Sequence, residues 1–120
     1  MTYNEIVTEV KKYFAGKKAA GNKKHFAAEV EITDGGGGVF CIEFDGENIN
    51  VEDKSYPKKD VRLITDTDTF IKVAIEETLP PEKALAQGKL KLENDLLDVP
   101  KAIKFGSLVA KAKQITEERI

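Results

Sequence analysis

The apolar residues of this chain change their spacing at Phe26, and no other feature constrains the fold as strongly. Before that point Tyr3, Ile6, Val7, Val10, Tyr13 and Phe14 recur at three- and four-residue steps, which lays one apolar stripe along a helix. Thr2 and Glu5 stand at capping-box spacing at its start, and Gly16 marks its end. A lysine-rich link over residues 17–24 follows. From Phe26 the period is two. Phe26, Ala28, Val30 and Ile32 alternate with Ala27, Glu29 and Glu31, as in a strand with one face on a core and one toward water. The glycines at 35–38 form a turn, and Phe40, Ile42 and Phe44 then share one face of a second strand. Asp45-Gly46 is a hairpin signal, Ile49 and Val51 mark a third strand, and a polar turn around Tyr56-Pro57 leads to a fourth at 61–65.

The helical period returns after residues 66–69, where Asp66, Thr67, Asp68 and Thr69 each suit an N-cap. Phe70, Ile71, Val73, Ala74 and Ile75 make this helix apolar over much of its circumference, the pattern of a mostly buried helix. Pro80-Pro81 breaks the chain and starts a short helix over 82–87, closed by Gly88. Leu90 and Leu92 alternate with charged neighbours in a fifth strand. A last helix, capped by Asn94 or Asp95, carries Leu96, Val99 and Ile103; Gly106-Ser107 interrupts it, and Leu108, Val109, Ala112 and Ile115 continue at helical spacing. Strands in a block followed by helices predict an α+β fold, a mostly antiparallel five-stranded sheet with helices on one face. At 120 residues, with no internal repeat and no linker, residues 1–120 read as a single domain.

The apolar fraction is 41% and the charged fraction 33%, which suits a soluble globular chain rather than a disordered or membrane-spanning one. The N-terminal residues lack the basic-then-apolar order of a secretory signal, and a lone cysteine, Cys41, rules out an internal disulfide. A cytoplasmic location is the expectation from these features. A net charge of −2 offers no bulk attraction to nucleic acid.

The chemistry-bearing residues argue against an enzyme. Metal sites need clustered His, Cys or carboxylates, and this chain has one histidine, His25, and one cysteine. Asp66 and Asp68 resemble the start of a calcium loop, but Phe70 and Ile71 occupy positions where that loop needs an oxygen ligand and a glycine. His25 could serve Cys41 as a base, yet Cys41 sits between Phe40 and Ile42, where cysteine acts as a small hydrophobe. Gly16 to Gly21 has the glycine spacing of a phosphate loop, but Asn22 stands where its lysine belongs. No catalytic residue, metal or cofactor is expected. The uneven feature is charge: Lys11, Lys12, Lys17, Lys18, Lys23 and Lys24 lie between Val10 and Glu29 with no acid among them. They read as a solvated surface or as a docking patch for an anionic membrane, where each basic residue contributes about 1 kcal/mol.

Residues 66–92 carry the most specific pattern. An acidic cap Asp66-Thr67-Asp68-Thr69, a helix bearing Phe70, the short helix after Pro80-Pro81 with Ala84, and Gln87-Gly88-Lys89-Leu90 resemble the sterol carrier protein type-2 family. The upstream order of helix and strands fits as well. Asn94-Asp95 departs from the pattern, since relatives often have a glycine there. The resemblance implies helices enclosing an apolar tunnel over the sheet. It also implies non-catalytic binding of a fatty acid, fatty acyl-CoA, phospholipid or sterol. Gln87 matches a glutamine beside that tunnel, and Phe70, Val73, Ala74 and Leu85 fall on helices that would line it. A module that seats a partner helix or second copy in the same groove, or one that presents lipid to a lipid-metabolising enzyme, remains open on the sequence.

Overall fold

The capping box predicted from spacing is formed: the Glu5 N–H donates to Thr2 Oγ1, and the Thr2 N–H donates to Glu5 Oε1 at 2.9 Å. This is a computed structural model, and it describes residues 2–19 and 24–114. Helix α1 (Tyr3–Phe14) follows and buries Ile6, Val7, Val10 and Phe14, the stripe read from the sequence. After the short strand β1 (Lys17–Ala19) come β2 (Phe26–Ile32), β3 (Gly38–Asp45), β4 (Asn48–Glu52) and β5 (Val61–Thr65). The mixed sheet is completed by β6 (Leu90–Leu92), in the order β4-β3-β2-β5-β6. Its one parallel pair is β2 with β5.

That parallel pair exists because residues 53–60 carry the chain from the edge strand β4 back across the sheet to the far side of β2. Asp60 anchors the crossing: its N–H donates to the Ala27 carbonyl at 2.8 Å, and its Oδ2 accepts the Ala27 N–H at 2.8 Å. The strap also corrects an expectation. Ala27, Glu29 and Glu31 read as a wet face, but Ala27 and Glu29 are 0% exposed. Ser55 Oγ and the Tyr56 N–H both donate to Glu29 Oε2 at 2.9 Å, which places the strap directly over that carboxylate.

The helices cover the other face. They comprise α1, α2 (Thr67–Phe70), a π-helical turn (Ile71–Ile75), α3 (Pro81–Ala86), a 3-10 turn (Asp95–Asp98) and α4 (Val99–Lys111). Asp66 caps α2, accepting the Thr69 N–H at 2.7 Å. Ring contacts join this layer to the sheet: Phe70 meets Phe40 edge-on at 5.6 Å, and Phe14 and Phe105 meet Phe44 at 6.4 and 6.3 Å. The sheet and helix layer form the predicted α+β arrangement.

Two boundaries differ from the sequence reading. Helix α4 runs through Gly106 without interruption, and it buries Phe105, Leu108 and Val109. Residues beyond it were expected to stay helical. Instead Ala112–Gln114 form β7, which pairs antiparallel with β1 in the segment read as a link. Three-residue strands leave too few positions for a periodicity to be read. Ile115 lies outside the described residues.

Gly38, where β3 begins, is held small by a neighbour. A Cβ there would sit 2.5 Å from the Tyr3 ring, and that ring is anchored by its hydroxyl to the Val39 carbonyl at 2.7 Å and to Asp53. Gly38→Ala is expected to destabilise the fold by about 1–3 kcal/mol, read as a lower midpoint in thermal melts. In a Tyr3→Ser background the same change should cost far less.

Candidate functional site

The helix layer carries an irregularity that no periodicity announces. The π-helical turn is closed by the Glu76 N–H donating to the Ile71 carbonyl at 2.8 Å. Glu77 follows it, the one non-glycine residue with positive φ (56°) among the described residues. The Thr78 and Leu79 N–H groups then both donate back to the Lys72 carbonyl. A left-handed glutamate costs about 1–2 kcal/mol, and both π-turns and such outliers concentrate at functional sites. Here they swing Leu79-Pro80-Pro81 back toward α4.

The result is a groove of about 420 Å³ between the π-turn, α3 and α4. Its apolar walls come from Val73, Leu79, Pro80, Pro81 and Ile103, with Ala110 further along α4. Gly106 allows α4 to approach α3 closely, since a Cβ there would lie 3.3 Å from Pro81 Cγ. The polar lining is Ser107 and the carboxylates Glu77 and Glu82. The arrangement can shelter an aliphatic chain.

Of the sequence candidates, Val73 lines this groove. Phe70 and Ala74 are 3% exposed and belong to the core behind it. Leu85 is half-buried against the same core. Gln87 is exposed at the C-cap of α3 and is not among the groove residues. The structure therefore brings Phe70, Val73 and Ala74 together on one segment and sets Gln87 apart. Ile103, Gly106, Ser107 and Ala110 were missed as a group, although their three- and four-residue spacing is itself a helical stripe. They flank the buried stripe of Ala102, Phe105 and Val109, and the reading of Gly106-Ser107 as an interruption of the helix hid them. Leu108, Val109 and Ala112 are also buried, so α4 beyond Gly106 packs on the core.

Lys11 and Lys12 are exposed in the last turn of α1, and Lys24 is exposed before β2. Lys17 and Lys18 are half-buried, while Lys23 lies outside the described residues. No helix among the described residues is long and apolar enough to cross a membrane.

Cys41 and His25 do not meet in a catalytic pair. His25 Nε2 lies 2.6 Å from Glu43 Oε2 and 3.1 Å from the Tyr56 hydroxyl. Burial pushes the Cys41 thiol up to about 12, with the Glu43, Glu29 and Glu52 carboxylates adding to the shift. The native protein is expected to resist aromatic disulfide reagents at neutral pH and to react fully once denatured. Rapid labelling of the folded chain would contradict this assignment.

Comparison with known proteins agrees with this architecture. The sequence profile of the SCP-2 sterol transfer family matches residues 8–108. The palmitated sterol carrier protein 2 like 2 of Aedes aegypti, solved by NMR, is similar at 21% identity and a TM-score of 0.60, over 91% of this chain and 95% of that one. The crystal structure of sterol carrier protein 2 like 2 from Aedes aegypti gives 19% identity and a TM-score of 0.58, over 88% and 94%. The apo form of sterol carrier protein 2 from Yarrowia lipolytica gives 19% and 0.54, over 92% and 77%. At these identities the structural likenesses bear on the fold. No curated protein matches the chain significantly.

Proposed function

Because the chain belongs to the SCP-2 sterol transfer family, we propose that its groove between the π-turn, α3 and α4 seats the aliphatic part of a lipid. Family membership makes it a non-catalytic binder of hydrophobic ligands; the place and the ligand are the proposal. The observation that supports the place is the apolar wall of Val73, Leu79, Pro80, Pro81 and Ile103 around about 420 Å³. Burial of an acyl chain there is favourable by about 0.8 kcal/mol per methylene. A membrane offers about the same, so loading and release run near balance.

The groove rim gives the ligand a direction. Glu77 and Glu82 are the charged lining residues, so like-charge repulsion disfavours an anionic head beside them. Gln87, exposed at the C-cap of α3 outside the groove, is the polar contact that the family resemblance suggests for a ligand extending along α3. Parting of α3 and α4 around such a chain would turn the groove into the tunnel expected from the family. The exposed lysines at the end of α1 and before β2 hold the protein near an anionic membrane during exchange, and an accessory role beside a lipid-metabolising enzyme fits the same exchange.

The test is extraction of the freshly purified protein with organic solvent, identification of lipid by mass spectrometry, and displacement of a fluorescent fatty acid. Stoichiometric lipid or saturable displacement is expected. Absence of both would sink the carrier reading. A second reading, a partner or second copy in the groove, has one feature in its favour. Ile103 on the lining is 44% exposed and Leu97, in the turn before α4, is 83% exposed. A concentration-dependent mass that lipid leaves unchanged would favour it.

A further inference from the structure

A separate cleft of about 340 Å³ opens between the end of α1, β1 and the edge strand β4, away from the groove. Phe14, Ile49 and Val51 contribute its apolar lining, and Lys11, Lys17, Lys18, Asn48 and Asn50 its polar lining, with no acidic residue among them. Two of the cations are already held in place. The Lys17 ammonium rests 3.4 Å from the centre of the Tyr13 ring, and Lys18 Nζ donates to Asn48 Oδ1 at 2.9 Å. Both partners are neutral, so they position the charges without cancelling them. Lys12, Lys54 and Lys72 each have a carboxylate at ion-pair distance. Among the described residues Lys11, Lys17 and Lys18 have none. Glu43, which Asn50 links to the cleft, is already engaged by His25 and Tyr56.

Asn48, its oxygen committed to Lys18, keeps its NH₂ group as a donor. Fixed cations and an amide donor around one cleft match a dianion bearing several acceptor oxygens better than a singly charged carboxylate. We propose that this cleft binds a phosphomonoester group. The inference deepens the membrane-facing role proposed for the lysines and is independent of the groove. The phosphomonoester could belong to a lipid head in a membrane or to a soluble phosphorylated molecule.

The experiment is an NMR titration of the whole chain with glycerol 3-phosphate, with glycerol as the blank. Saturable shifts confined to residues 11–18 and 48–50 are expected. Lys17→Gln and Lys18→Gln should each weaken binding about tenfold, the loss of one charge-assisted hydrogen bond. Lys91→Gln, on the opposite sheet edge, should leave it unchanged. Flotation with phosphatidylcholine vesicles containing phosphatidic acid or phosphatidylglycerol at equal charge identifies the source. Preference for phosphatidic acid places the group in a membrane. Soluble binding without vesicle binding assigns it to a soluble molecule, and the cleft stands in either case. Two outcomes would overturn the proposal: no saturable shift with glycerol 3-phosphate, or equal weakening by Lys91→Gln. Vesicle binding without the soluble shift would leave only diffuse docking of the lysines. Displacement of the fluorescent fatty acid is unaffected in all of these arms, so failure here is distinct from failure of the groove.

Discussion

Arg62→Ala is expected to cost about 3 kcal/mol of stability, the penalty for leaving a buried carboxylate without its cation. The carboxylate is Glu29, 0% exposed under the strap at 53–60. Arg62 bridges it to Glu31 through its two terminal nitrogens. Burial alone would raise the Glu29 pKa. The Tyr56 N–H, the Ser55 hydroxyl, Arg62 and Lys59 together outweigh burial and hold it below the ordinary carboxylate range. A folded-state value below the unfolded one makes the unfolded chain bind more protons on the acid side. The stabilisation is therefore complete above the ordinary value of about 4.3 and is lost as pH falls through the lower, folded value. In Arg62→Ala burial is opposed less, so Glu29 takes up a proton at higher pH than in the parent chain. Denaturant unfolding should show the full deficit near pH 7 and a shrinking one as pH falls on the acid side, because Glu29 is protonated earlier in the variant than in the parent. Glu29→Gln in the same background should recover part of the loss. A deficit independent of pH would mean that Arg62 acts through the packing of its stem.

Ala110→Trp is expected to weaken lipid binding roughly a hundredfold while leaving the fold within about 0.5 kcal/mol of the parent. Ala110 is exposed and lines the groove, so an indole there enters the groove rather than the core. Excluding about four methylenes of an acyl chain removes about 3 kcal/mol of burial, which is the source of the factor. Displacement of a fluorescent fatty acid measures it, and denaturant unfolding of the same sample checks the fold. Undiminished binding would place the ligand elsewhere in the helix layer. Together the two variants separate the strap face of the sheet from the proposed ligand groove on its helix face.

Most of the architecture was legible because it rests on local rules. The stripe from Ile6 to Phe14 buries as read, Thr2 and Glu5 cap it, and the period-two runs of β2 and β3 place Phe26, Val30, Phe40 and Phe44 in the core. These follow from the geometry of helices and strands, which repeats within a few residues. Even the family resemblance drew on such features, namely an acidic cap, a proline-led helix and a Gly-Lys-Leu strand, all in one continuous stretch.

Contacts distant in sequence decided the rest. The burial of Glu29 depends on Ser55 and Tyr56 crossing over it, and no pattern within β2 can report that. The pairing of Lys17–Ala19 with Ala112–Gln114 joins segments nearly a chain apart, each too short to show a period. The groove exists because Glu77 adopts a left-handed conformation after a π-turn and Gly106 lets α4 approach Pro81. Sequence alone determined which residues are apolar and at what spacing. Only the tertiary structure decided which of two neighbouring stripes on α4 faces the core and which faces the groove, because that choice is set by where the next element lies.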